Sequence, residues 1–244
     1  MSAGRASDSP ARTRLYRLGA LIVTTAAVAT VLIAILSSGS TSQLVPGKPV
    51  PGTAQTLALL TGIPQRGAAL GDPRAPVTLV EFGDLQCPTC ALFAQETLPA
   101  IITRYVRSGR VLLVFRAVDF IGGDSARAAR VAYALGTQNR LWQFIELMYR
   151  NQGLENSSYV TDNYLQALAG AIPGADVTGA LAARDSPGVQ SQLQEASGAA
   201  HRLGLTSTPS FLLSRTGEQP RRFSPAGLDE SSFSERLDRL LGGR

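Results

Sequence analysis

The chain has 244 residues, 44% of them hydrophobic and 17% charged, a balance that excludes a disordered polymer and leaves room for one domain with a sizeable core. Its formal charge of +5 does not point to nucleic acid, because Arg5, Arg12, Arg14 and Arg17 against Asp8 put +3 of it into the N-terminal tail, and the later arginines are scattered without aromatic interleaving. With two cysteines and one distant histidine, His201, a closed four-ligand zinc site cannot be assembled from this chain, so neither a metal nor a cofactor is expected.

The tail (1–17) leads into Leu18–Leu36, a run without a charged residue that as a helix would be roughly 28 Å long, close to the hydrocarbon thickness of a bilayer. The arginines before it predict a cytoplasmic N-terminus and a single-pass signal anchor, with the rest of the chain outside. The alternative is a cleaved signal peptide, since Ser37, Ser38, Gly39 and Ser40 are small enough to be cut after; either reading exports the domain. No cysteine follows to accept a lipid, and Thr13 separates Arg12 from Arg14, so neither a lipoprotein nor a twin-arginine signal is indicated. The Ser, Thr, Gly and Pro-rich segment 37–69 reads as a stalk, within which Thr56–Leu60 can add an edge strand.

Val77–Phe82 is a β-branched and apolar run between Pro76 and Gly83, which predicts a strand. After a turn over Gly83–Gln86, Leu92, Phe93, Leu98, Ile101, Ile102 and Tyr105 recur at helical spacing and predict a long amphipathic helix from Pro88 to Ser108. Val111–Val118 reads as a second strand, and strand, helix, strand makes a right-handed crossover that puts the cysteines at the C-terminal edge of a sheet. Helix-prone stretches follow at Ala126–Leu135, Leu141–Asn151, Asp162–Ala171 and Val177–Leu203, then a strand at Ser210–Ser214. A hairpin partner is expected at Arg221–Phe223 across Thr216 and Gly217, and a terminal helix at Ser231–Leu241.

Cys87-Pro88-Thr89-Cys90 places two thiols one turn apart at a helix start, with Cys87 expected to face solvent and Cys90 to lie just inside. Unpaired backbone N–H groups and the positive end of the helix dipole stabilise an anion there, which lowers the thiol pKa of Cys87. Pro88 suits the first helical position, where its missing N–H costs nothing; Thr89 offers a hydroxyl but no positive charge to tune the thiolate. Two inert buried cysteines at chance spacing would be the structural alternative. His201 has no motif neighbour, and Trp142 with Phe144, Leu147 and Met148 reads as helical core, so neither is assigned a catalytic part.

With this motif stand Gly71-Asp72-Pro73, Ala75-Pro76-Val77, Val80-Glu81-Phe82-Gly83-Asp84, Ser125-Ala126-Arg127-Ala128-Ala129, Leu141-Trp142-Gln143-Phe144 and Leu203 through Phe211. On these residues the chain resembles the DsbA-like branch of the thioredoxin superfamily, over about Leu70–Leu241. The resemblance implies an α/β thioredoxin-like fold in two halves, 70–122 and 204–244, separated by a helical insertion at 123–203 and preceded by one transmembrane helix. It implies a cis bond between Thr208 and Pro209 beside the cysteines, where backbone groups can meet an extended substrate. It also implies a role for Glu81 in moving the proton of Cys90, although Glu81 could instead point to solvent with Val80 and Phe82 on the buried face.

The expected activity is disulfide donation to exported thiol-containing proteins, with re-oxidation by a membrane partner of the DsbB or vitamin K epoxide reductase type. Two readings compete with it. A reductase for selected exported clients is one, because relatives that are strong oxidants often carry histidine in the dipeptide between the cysteines, where this chain has Pro88 and Thr89. A tethered chaperone or binding module without redox turnover is the other.

Overall fold

The computed structural model describes residues 44–242, so Leu18–Leu36 and the tail before it lie outside the described residues. Among those described, no helix is long and apolar enough to cross a membrane.

The folded domain starts well before Leu70. Thr53–Leu60 is a helix, α1, not the edge strand expected over Thr56–Leu60. Gly52 at φ 81° enters it, and at its C-terminal end the Arg107 guanidinium donates to the carbonyls of Leu59 (2.7 Å) and Thr61 (2.9 Å). These carbonyls have no acceptor role inside a helix, so a cation brought from elsewhere in the chain satisfies the helix end. Leu60, Ile63 and Leu70 are buried in the main core, and the short strands β1 (Gln65–Arg66) and β2 (Ala69–Leu70) join the sheet. The latter half of the expected stalk is therefore part of the domain.

The sheet has six strands in the order β1-β2-β4-β3-β5-β6. β3 (Val77–Gly83) lies at its centre, parallel to β4 (Val111–Ala117) and antiparallel to β5 (Ser210–Arg215); β6 (Arg221–Phe223) closes the hairpin with β5. Because successive side chains alternate faces, β3 sends Val77, Leu79, Glu81 and Gly83 one way and Val80 and Phe82 the other. Val77 and Leu79 belong to the main core, while Phe82 joins a small cluster with Val118, Ala200, Leu205 and Leu212. Glu81 therefore points into the larger core and not to solvent.

Between β3 and β4 the chain is helical from Pro88 to Val106, but not as one regular α-helix. α2 (Pro88–Leu92) and α3 (Leu98–Ile101) alternate with π-helical segments at Phe93–Thr97 and Ile102–Val106. Pro99 accounts for the first interruption, since its ring displaces the carbonyl four residues back and it donates no backbone hydrogen bond. The insertion comprises α4 (Gly123–Gly136), α5 (Leu141–Arg150), α6 (Asp162–Gly170), α7 (Val177–Ala183) and α8 (Pro187–Arg202), and α9 (Glu230–Gly242) ends the described chain. The expected helix over Val177–Leu203 divides at Pro187, because the residue before a proline is held extended; Ser186 has ψ 153°.

Two contacts tie the layers together near the cysteines. Trp142, wholly buried, donates its indole N–H to the Ala68 carbonyl (3.1 Å), joining the insertion to the β1-β2 hairpin. Phe93, Phe211 and Phe233 pack ring to ring at 4.9–5.1 Å between centroids, anchoring the cysteine-bearing helix to β5 and α9. Burial of each such ring contributes about 1.5–3 kcal/mol, which holds the cysteine-bearing helix on the sheet.

Candidate active site

Cys87 is the N-cap of α2 with an extended backbone (φ −70°, ψ 119°), Pro88 opens the helix, and Cys90 lies one turn in. Both cysteines are free thiols. The expectation that Cys87 faces solvent needs correction, since it is only 7% exposed and Cys90 is wholly buried. What covers Cys87 comes from the far end of the sequence: its thiol donates to the Thr208 carbonyl at 3.4 Å, and the Thr208–Pro209 peptide just before β5 is cis. Pro88 and Thr89 remain exposed. A groove of about 360 Å³ runs from Thr89 past Thr208, Pro209 and Phe211 to Phe223 and Leu228, so an extended chain could lie beside the thiol.

The two thiols differ sharply in acidity. Cys87 is pulled down to about 5, first by the hydrogen bond from Cys90, then against its own burial by the Thr208 side chain and by the N–H groups of Cys90 and Thr89. Cys90 is pushed well up, mainly by burial, then by the hydrogen bond it gives to Cys87 and by the charges of Glu81 and Cys87. A thiol in apolar surroundings resists ionisation, while one at a helix start with donors aimed at it ionises readily.

Beneath the pair, Glu81 is buried with its Oε1 lacking a hydrogen-bond partner among the described residues. Burial, then the negative charges of Glu146 and Cys87, push its pKa up to about 8. At neutral pH its carboxyl is therefore mainly protonated.

The turn carrying the cysteines is held by side chains that sequence reasoning passed over. Buried Asp84 accepts from the Gln86 N–H (2.9 Å), the Ser125 hydroxyl (2.6 Å) and the Ile121 N–H (2.9 Å). The Gln86 amide donates to Ser125 (2.9 Å) and accepts from the Asn156 N–H (2.8 Å), and Gln152 donates to the carbonyls of Leu85 (3.0 Å) and Cys87 (3.2 Å). Asp84 and Ser125 do fall within the motifs carrying the resemblance, but nothing in their spacing shows that they meet. His201 is exposed on α8 and does not line the groove.

A dithiol at the N-terminus of the helix after a central strand, next to a cis-proline loop, defines a redox domain of thioredoxin architecture. Comparison with known proteins agrees: the family model described as Thioredoxin matches residues 65–221. The chain is 30% identical over 176 residues to the probable disulfide bond formation protein D of Bacillus cereus, covering 71% of this chain and 78% of that protein. It is 34% identical over 102 residues to disulfide bond formation protein D of Bacillus subtilis, covering 41% and 46% of the two chains. Oxidised BdbD of Bacillus subtilis superposes with a TM-score of 0.64 at 24% identity, over 83% of this chain and all of that one. A variant of alpha-DsbA1 from Wolbachia pipientis gives 0.61 at 22%, over 77% and 96%. The chain belongs to the thioredoxin family, as a DsbA-like thiol-disulfide oxidoreductase.

Proposed function

We propose that Cys87 and Cys90 are the redox pair of a membrane-tethered enzyme that introduces disulfides into exported proteins. The observation that carries this reading is the asymmetry of the two thiols: an acidic Cys87 stabilises the reduced enzyme and so makes its disulfide oxidising. In the forward direction a substrate thiolate attacks Cys87 Sγ, a substrate–Cys87 disulfide forms and the Cys87–Cys90 bond breaks. The electron pair leaves on Cys90 Sγ, which takes the proton held on Glu81. A second substrate thiolate then attacks the sulfur of the first, the substrate leaves oxidised, and Cys87 departs as a stable thiolate. Two electrons have passed from the substrate to the dithiol.

The groove past Thr89, Thr208 and Pro209 suits an extended segment of a protein still unfolded, whose backbone can pair beside the disulfide. The basic tail and the apolar run Leu18–Leu36 support the tether and an extracytoplasmic domain. Continued turnover needs a membrane partner that accepts the two electrons, of the quinone-linked DsbB or vitamin K epoxide reductase type. The deciding measurement is the reduction potential of the full chain in detergent, equilibrated with glutathione buffers. A value near about −120 mV supports disulfide donation, one near about −270 mV makes the protein a reductant of selected clients, and no exchange leaves a binding module.

A further inference from the structure

A second buried carboxyl lies under the dithiol. Glu146 on α5 is wholly buried, and neither of its oxygens has a hydrogen-bond partner among the described residues. Among the described residues its one close cation is Arg150, a turn further on, with Nη2 3.7 Å from Oε2. Room for that arginine is built in: Gly52, at φ 81°, passes so near that a Cβ there would lie 2.5 Å from Arg150 Cδ.

Glu146 sits over the same sheet face as Glu81. Tyr149, three residues after Glu146 and hence on the same side of the helix, approaches Gly83 so closely that a Cβ at Gly83 would lie 2.7 Å from its hydroxyl. Gly83 in turn shares its face of β3 with Glu81, two residues back. Two carboxyls in one apolar core cannot both ionise cheaply, since each loses its hydration and each repels the other. Burial raises Glu146 itself to about 8 against the pull of Arg150, and its charge adds to the rise at Glu81. Among the described residues, Cys87 and Cys90 face Glu81, and Tyr149 of α5 lies among Cys87, Cys90, Glu81 and Asp84 of the turn. α1, which covers Arg150, has no charged residue.

We propose that Glu146 is a positioning residue for the exchange reaction: as it ionises with rising pH, its charge keeps on Glu81 the proton that Cys90 takes when substrate displaces it from Cys87. The helical insertion thereby governs the chemistry at the sheet edge, and solvent returns the proton to Glu81 after each turnover. This rests on the redox reading above.

The test compares mixed-disulfide formation by the full-length oxidised protein and by Glu146→Gln, with one cysteine peptide, from pH 5 to pH 9. Taking the ratio of the two rates cancels the titration of the peptide thiol. The ratio is expected near one at pH 6, where the side chain at this position is uncharged in both proteins, and down about fivefold by pH 8 to 9, where the native Glu146 charge holds the proton on Glu81. The loss should vanish in a Glu81→Gln background. A ratio independent of pH, or an equal loss with Glu81 already replaced, overturns the proposal and leaves Glu146 a packing residue. Should Glu146→Gln not fold, the coupling is read from the other side, because linkage is reciprocal. In Glu81→Gln the infrared carboxyl band of Glu146 must then titrate at lower pH than in the native chain, and an unmoved band overturns the proposal. Absence of any exchange by the native protein would instead remove the redox reading itself.

Discussion

The mouth and the floor of the site, a few ångströms apart, follow opposite rules. At the mouth, Cys87 and its turn have their polar groups matched: Thr208 meets the thiol, Asp84 takes three donors, and Gln152 spans two carbonyls. At the floor, Glu81, Glu146 and the Tyr149 hydroxyl have buried oxygens with no hydrogen-bond partner among the described residues. Matched groups fix geometry, whereas unmatched ones resist ionisation and so hold protons. One site can thus present an anion at the helix start and store a proton on the carboxyls beneath it.

Removing the mouth's nucleophile should have the largest effect. Cys87→Ser is expected to abolish exchange, whereas Cys90→Ser should accumulate a mixed disulfide through Cys87, visible as an adduct by mass spectrometry. Retained binding of unfolded chains by Cys87→Ser, in a native protein that never exchanges, would favour the chaperone reading.

Next comes the scaffold of the mouth. Asp84→Ala strands the donors of Gln86, Ser125 and Ile121 and should lower stability by about 3 kcal/mol in chemical denaturation. A change below about 1 kcal/mol would show that water or a shifted loop takes over these bonds.

At the floor, Glu81→Gln removes the proton donor while preserving shape. The step that releases Cys90 is expected to slow at least tenfold at pH 7 in stopped-flow fluorescence, with the fold intact; an unchanged rate would assign proton transfer to water.

The smallest effects come from pH. Cys87 in the reduced protein should titrate near pH 5 by thiolate absorbance. Its depressed pKa contributes stability to the reduced form that is complete above the unfolded thiol value and lost as pH falls through about 5. Glu81 and Glu146 have raised values and do the reverse: their contribution is complete below the ordinary carboxylate range and lost as pH rises through about 8. The oxidised protein, which has no Cys87 thiolate, should therefore lose stability between pH 5 and pH 9 in thermal melts. A flat profile would mean that the two carboxyls are hydrated.

Much of this was legible along the chain. Cys87-Pro88-Thr89-Cys90 announces a helix start with two thiols a turn apart, and β-branched runs mark β3 and β4, with a short apolar run marking β5, because strands of this kind need no distant partner to be recognised. The failures share a cause. Thr56–Leu60 is short and apolar, a pattern that fits strand and helix alike, and in the fold it is helix with its end capped by the distant Arg107. The exposure of Cys87 was misjudged because its cover arrives with Thr208, 121 residues later.

Local sequence sets the chemistry available: a cysteine pair at a helix N-terminus, a proline loop ahead of a late strand, and an acidic residue six positions before the first thiol. These follow from local spacing and backbone geometry. Only the tertiary structure decided which face Glu81 points to, what covers Cys87, and that Glu146 and Arg150 of the insertion lie beneath the site. Burial and charge proximity depend on which elements pack together, and it is they that divide the two thiols into an anion and a proton acceptor.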